Sequence, residues 1–298
     1  MTKPLLSVVM ITYGHQDCIE QAVDSVLMQV GEYDLELIIA NDRSLDRTDD
    51  VVKRILDTNE RSHCIKYFVN ETNLGIMPNL VKAMQSSSGK YIAICEGDDY
   101  WTDKHKLQKQ LNFLENNAEY SMVCHNAMKV YEGIDKMPSL FTSNKTSFDI
   151  PMSTIINKWI IPTASMFFRR KFIDTLPNWV NDIYSGDYTL ALLLRHKGKV
   201  HFMNETMSVY RINYSGSSAS ALYGKKLAFV TEQQIRLLNH FDELTSSLYA
   251  KDIRSKITNL KKELRFYNLK SRSLLRAFVN MPFTFSKRMI TRFLRSFQ

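Results

Sequence analysis

Five short segments of this chain combine residue types that can do chemistry. Glu96-Gly97-Asp98-Asp99 sets three carboxylates within four residues, directly behind an apolar run. In a low-dielectric crevice such a cluster repels itself unless a cation neutralises it. A hard divalent ion suits, since it takes one or two protein carboxylates and fills its other positions with water or phosphate oxygens. Asn41-Asp42-Arg43-Ser44 is a turn of hydrogen-bonding side chains, with Asp46 placed to cap a helix beginning near Thr48. Thr12-Tyr13-Gly14 closes the first apolar run, and Asn70 to Gly75 closes the third ahead of a helix start marked by Pro78. Ser185-Gly186-Asp187 puts a carboxylate at the turn before another helix, where it could serve as a cap or as a proton acceptor. Taken singly, the acidic turn and the Asn-Asp-x-Ser turn also read as solvated loops and caps.

The elements that must carry these segments alternate. Leu5–Thr12 is a β-branched apolar run too short for a helix, and residues 16–28 follow with Ile19, Ala22, Val23, Val26 and Leu27 on one helical face. The pattern repeats at 35–40 with 48–56, 65–69 with 78–86, and 91–95 with 106–115. Four such units predict an α/β fold with a mostly parallel sheet covered by helices on both faces. Ligands of such sheets sit beyond the carboxyl ends of the strands, where the segments above all fall. Further strands are expected at 122–130, 164–168 and 200–210, a helix at 188–196, a mobile polar loop at 132–147, and helices from 222 onward. The expected division is a catalytic domain at 1–220 and a helical basic extension at 221–298. No Gly-x-Gly-x-x-Gly or Gly-Lys-Ser/Thr loop is present, which argues against a dinucleotide site or a P-loop.

With 298 residues, 44% hydrophobic and 23% charged, the chain is long enough for a substantial core and unlike a disordered or repetitive one. Cys18, Cys64, Cys95 and Cys124 lack metal-ligand spacing, and a reducing cytoplasmic setting is expected. No run reaches the length of a membrane span, and the start has no signal-peptide pattern. Residues 251–298 hold thirteen Lys or Arg against two acids, a net +11, so the first 250 residues carry −3. In the tail, Met289, Ile290, Phe293, Leu294 and Phe297 share a helical face rimmed by Lys287, Arg288, Arg292 and Arg295. That pattern predicts peripheral contact with the cytoplasmic face of a membrane, with docking on protein as its alternative.

The ordered set Ser7–Tyr13, Asn41–Thr48, Asn73-Leu74-Gly75 with Asn79, and Glu96–Asp99 resembles the inverting glycosyltransferases of family 2, which have the GT-A fold, a Rossmann-like nucleotide-diphospho-sugar transferase architecture. The resemblance extends over residues 5 to about 215. It implies transfer of a hexose from a nucleotide-sugar donor, a UDP-sugar, to a hydroxyl of a glycan or lipid-linked acceptor in surface polysaccharide synthesis, with Mg²⁺ or Mn²⁺ as cofactor. Thr12 and Tyr13 would flank the base, Asp42 would bond the uracil edge, and Ser44, Asn73, Gly75 and Gly97 would complete the donor site. Glu96 would approach the ribose or sugar and Asp98 would hold the metal. Thr163 and Ser165 would line the acceptor pocket, and Asp187 would be the catalytic base. Arg211 would neutralise the leaving diphosphate in a loop with Gly216-Ser217-Ser218. Glu96 stands where the family has aspartate, and Asn213 where histidine is common.

Two other classes fit the chain less well. A sugar-nucleotide nucleotidyltransferase of related fold would want a Gly-rich basic loop after the first strand, whereas Thr12-Tyr13-Gly14-His15-Gln16 is neither. A non-catalytic nucleic-acid binder would rest on the tail alone, since the body has neither zinc-finger spacing nor an RNA-reading aromatic motif, so no nucleic-acid partner is expected.

Overall fold

The computed structural model describes residues 5–133, 135–213 and 227–271, with side chains of 213 and 266–271 excepted. The expected boundary near Ser220, the Gly216-Ser217-Ser218 segment and the basic amphipathic tail lie outside these residues.

The first half alternates as the periodicity predicts: β1 (Leu5–Thr12), α1 (Ile19–Leu27), β2 (Asp34–Asn41), α2 (Thr48–Thr58), β3 (Ile65–Val69), α3 (Ile76–Gln85), β4 (Tyr91–Ile94), the short β5 (Tyr100–Trp101) and α4 (Lys106–Asn116). Strands β3, β2, β1 and β4 lie side by side and parallel. Strand β1 is apolar on both faces because the sheet is covered on both. Leu6, Val8 and Met10 enter a core with α1 and α4, while Val9 and Ile11 enter a second core with α3.

The second half departs from a simple parallel continuation. It contains β6 (Tyr120–Glu132), β7 (Ser139–Leu140), β8 (Phe148–Asp149), α5 (Met152–Asn157), β9 (Phe167–Arg169), α6 (Gly186–Lys197) and β10 (Lys199–Asn213). The sheet runs β3-β2-β1-β4-β9-β6-β10-β5, with β9 antiparallel to both neighbours and β6 parallel to β10. The expected strand at 164–168 divides into a 3₁₀ turn, Thr163–Ser165, and β9. The stretch expected as a mobile loop holds β7, which pairs with β6. Strand β5 pairs back on β10 through Trp101 with Ser208 and Tyr100 with Val209, which draws the acidic turn against Arg211.

Helices α7 (Leu227–Leu244) and α8 (Ala250–Ser271) follow. Their Leu237, Leu238, Phe241, Ile253, Ile257 and Leu260 are buried in the same core as α3, α5 and α6. Among the described residues no helix is long and apolar enough to cross a membrane.

Candidate active site

The site gathers at the carboxyl ends of β1, β2 and β4. Asp42, immediately after β2, is buried and holds the next loop together. Its Oδ1 accepts from Asn70 Nδ2 and the Leu74 N–H, each at 2.8 Å, and its Oδ2 accepts from the Gly75 N–H at 2.8 Å. Asn73 Nδ2 donates to the Asp42 carbonyl at 3.1 Å. Gly75 precedes α3 with φ 88°, a conformation that a side chain would strain. Asp42, Asn73 and Gly75 therefore form one unit, in which Asp42 acts first as a clamp on the 73–75 loop. Ser44 Oγ accepts from the Gly14 N–H at 3.0 Å and so ties the loop after β2 to the loop after β1. Asp46 accepts from the Thr48 N–H and hydroxyl, as expected of a helix-starting acid.

Thr12 is buried, with Oγ1 3.1 Å from His15 Nδ1, whereas the Tyr13 ring is 46% exposed above the strand ends. A Cβ on Gly97 would stand 2.8 Å from His15 Nδ1 and 2.9 Å from Thr12 Oγ1, so only glycine lets the acidic turn lie against this loop.

The three acids of that turn have distinct environments. Glu96 lines the cleft, and burial together with the charges of Asp98, Asp99 and Asp187 pushes its carboxyl well above the usual range. Asp99 is also pushed up by burial and by Asp98. Its Oδ1 accepts from the Arg211 N–H at 2.9 Å, while its buried Oδ2 has no hydrogen-bond partner. Asp98 is the acid that faces outward, its side chain 23% exposed and its Oδ2 3.9 Å from His15 Nε2.

Arg211 braces the turn. Its Nε pairs with Glu132 at 2.7 Å, Nη1 donates to the Asp98 carbonyl at 2.9 Å, Nη2 meets Gln21 Oε1, and the guanidinium stacks over Tyr100. All three nitrogens thus engage protein groups, which makes Arg211 a positioning residue for Asp98.

Across the cleft, Asp187 is the second residue of α6, its Oδ1 accepting from the Tyr188 N–H at 2.7 Å and its Oδ2 from the Thr163 hydroxyl at 2.9 Å. Burial raises its carboxyl to about 6, against the lowering effect of these two hydrogen bonds. Thr163 is fixed by the 3₁₀ turn it begins: Trp101 Nε1 donates to the Ala164 carbonyl at 2.8 Å and Gln110 Nε2 to the Ser165 carbonyl at 2.9 Å. Ser165 itself does not join the site. It is fully buried, and its hydroxyl turns back to the Pro162 carbonyl at 2.6 Å.

A cavity of about 180 Å³ brings together Glu96, Thr163 and Asp187 with Tyr210, of the segment that carries Arg211, and with residues that no motif marked: Trp159, Val230 and Gln234. Tyr210 is one residue before Arg211, and burial beside Asp99, Glu96 and Asp187 pushes its phenol upward, so it is present as a hydroxyl donor. Its alternation along β10 was the available signal, because Arg211 and Tyr210 must face opposite sides of the strand. Trp159 and α7 had no comparable signal.

Among the described residues no group of three or more His, Cys, Asp or Glu forms a metal cage. The residues nevertheless fit a hard divalent ion of the kind that needs one carboxylate and takes its other ligands from phosphates and water, with partly exposed Asp98 as the available ligand.

Residues 7–176 match the family described as Glycosyl transferase family 2. Uncharacterised proteins of Mycobacterium tuberculosis and Mycobacterium bovis are 31% identical over 217 residues, 72% of this chain but 61% of theirs, so the chain spans under two thirds of those relatives. The Bacillus subtilis protein TuaG, named a putative teichuronic acid biosynthesis glycosyltransferase, is 30% identical over 246 residues, 82% of this chain and 92% of its own. Among solved structures, Staphylococcus aureus TarS 1–349 with UDP-GlcNAc superposes with TM-score 0.62 at 17% identity, covering 93% of this chain and 76% of that one. The mannosyltransferase PcManGT of Pyrobaculum calidifontis, with GDP-Man and Mn²⁺, gives 0.61 at 14% identity, covering 99% and 79%. The family match over residues 7–176 and the 30% identity with TuaG along most of both chains agree with the strand-end geometry, and the chain belongs to glycosyl transferase family 2.

Proposed function

We propose that this enzyme transfers a hexosyl group from a nucleoside-diphosphate sugar, a UDP-sugar, to a hydroxyl of a glycan or lipid-linked acceptor, with inversion and with Mg²⁺ or Mn²⁺. The observation that carries the reading is Asp187: a carboxylate raised to about 6, anchored by Thr163 and opening into the same cavity as Glu96. A group with that pKa is ionised at neutral pH and still basic enough to draw a proton from a sugar hydroxyl.

The nucleotide would lie over the β1 and β2 ends, its base beside Thr12 and the exposed Tyr13 ring. Asp42, with Ser44, would shape the base pocket by holding Asn73 and Gly75 in place, its remaining Oδ2 capacity facing the uracil edge. Gly97 lets the acidic turn close against this pocket, and Glu96 would meet the ribose or the transferred sugar. When bound, a divalent cation held by Asp98 would supply charge neutralisation for the departing diphosphate. Arg211 serves that event indirectly, by fixing the backbone that presents Asp98. Thr163 orients Asp187 towards the acceptor oxygen, which attacks the anomeric carbon as its proton passes to Asp187. One displacement with one carboxylate as base inverts the configuration.

The role in polysaccharide synthesis draws support from TuaG's printed name. The division proposed near residue 220 leaves the donor motifs, Thr163 and Asp187 before it and, after it, helices that would add acceptor or membrane contacts. The net +11 of residues 251–298 supports attraction to anionic lipid at the cytoplasmic face, at about 1 kcal/mol per surface Lys or Arg. The deciding experiment is a donor-hydrolysis screen across nucleotide sugars with Mg²⁺, Mn²⁺ or chelator. Metal-stimulated release of UDP is expected; no hydrolysis of any donor would remove the reading.

A further inference from the structure

We propose that Trp159 and helix α7, through Val230 and Gln234, form an acceptor subsite that selects a neutral pyranoside. The proposal rests on the glycosyl-transfer reading, and it assigns acceptor choice to residues of which Val230 and Gln234 fall beyond the family-matched stretch.

The argument starts from reach. An acceptor hydroxyl must come within hydrogen-bond distance of Asp187 to lose its proton, so the acceptor ring has to lie against the side chains that border this carboxylate. Trp159 borders Asp187 twice, in the main cavity and in a small adjoining one, and its ring stands 6.2 Å from that of Tyr188. The indole is 47% exposed, a large apolar face left open beside the base and suited to the C–H face of a sugar.

Val230 and Gln234 stand one helical turn apart on α7 and so share a face, which lines the same cavity. That face is fixed, because Leu237, Leu238 and Phe241 of the same helix are fully buried in the core. The Gln234 amide has no hydrogen-bond partner among the described residues and offers both donors and an acceptor to sugar hydroxyls.

Charge decides the class. The ionisable acids of the cavity wall are Glu96 and Asp187, and its described lining includes no Lys or Arg. A uronate or phosphorylated acceptor would meet the like charge of ionised Asp187 with no Lys or Arg among the described lining residues beside it, whereas a neutral hexopyranoside carries no charge to repel.

The test uses the full chain, with the nucleotide sugar it hydrolyses fastest, and p-nitrophenyl β-glucoside, N-acetyl-β-glucosaminide and β-glucuronide as acceptors. Transfer to the neutral glycosides and not to the glucuronide is expected. Trp159→Ala should raise acceptor KM roughly 30-fold and Gln234→Ala about tenfold, with the Kd for UDP by calorimetry unchanged and Trp159→Phe recovering most of the loss. A preference for the glucuronide, unchanged acceptor KM in both variants, a parallel fall in UDP affinity, or donor hydrolysis without transfer to either neutral glycoside would each overturn the subsite. Absence of donor hydrolysis in the unaltered protein would instead remove the glycosyl-transfer reading beneath it.

Discussion

The Thr163 hydroxyl donates to Asp187 Oδ2 at 2.9 Å, joining a 3₁₀ turn before β9 to the first turn of α6. This bond favours the ionised carboxylate and opposes the burial that raises Asp187 to about 6. Thr163→Val removes the donor while keeping the shape, so the Asp187 pKa should rise further. The acidic limb of the kcat profile, expected near pH 6, then moves to higher pH, and turnover at pH 6 falls more than turnover at pH 8. A limb at the same pH in both proteins would detach Thr163 from the base.

Asp187→Asn should lower transfer by about 10²–10⁴-fold while leaving UDP affinity nearly unchanged, the range for a lost general base. It should also stabilise the fold. The folded pKa lies above that of the unfolded chain, so the native state binds the proton more tightly and loses stability as pH rises from about 4 to 6. An amide does not titrate, and a gain of about 1–2 kcal/mol at pH 8, absent at pH 4, is expected from urea unfolding. Equal stability at pH 8 would show that the buried charge is not destabilising.

Asp42→Ala frees the N–H groups of Leu74 and Gly75 and the Asn70 amide at once. A loss of about 2–4 kcal/mol in unfolding free energy is expected, along with weaker UDP binding, because the 73–75 loop loses its clamp. If UDP binding weakens with no change in stability, Asp42 acts on the nucleotide alone.

These outcomes bear on what the sequence could disclose. Strands β1 and β3 begin and end where the apolar runs do, since both are bounded by turn residues. Helix α3 starts at Ile76, two residues before Pro78, because proline's missing N–H falls in a first turn that has no intrahelical use for it. The antiparallel insertion of β9 between β4 and β6 left no local trace, as pairing with strands more than 40 residues away in sequence depends on partners that periodicity does not name. In the site, the order of the motifs singles out Asp42, Glu96, Asp98, Thr163 and Asp187. Ser165 was not distinguishable from Thr163, because which hydroxyl faces the cleft is decided by the 3₁₀ turn. Arg211 could be marked as a cation, but its partners Gln21 and Glu132 come from elements far apart in the chain.

Asp98→Ala should remove most of the metal dependence of UDP binding, leaving the ion held mainly by phosphate oxygens. Calorimetry with Mn²⁺ or with chelator checks this. Equal affinity in both conditions for both proteins would eliminate the metal role.

The tail prediction is separable from the chemistry. The full chain should co-sediment with vesicles containing anionic phosphatidylglycerol and less so at high salt, while a chain ending at Lys270 should remain in solution and keep its UDP affinity. Equal sedimentation of the two would favour docking of the tail on protein.

Because α7 and α8 share one core with α3, α5 and α6, the molecule does not come apart where the motifs stop. In a chimera with a relative, α7 and α8 have to be matched to α5 and α6, since a foreign helix pair would meet Ile155, Leu190 and Leu193 with the wrong apolar relief. The strand-end loops at 12–15 and 42–47 are tied together where Ser44 accepts from the Gly14 N–H, and the 96–99 turn lies against the first of them at Gly97, so the three have to be exchanged together. Under the proposed subsite, drift in donor preference and drift in acceptor preference are thereby open to different rates: the first through three loops that must change together, the second through Trp159 and a helix that the core must accept.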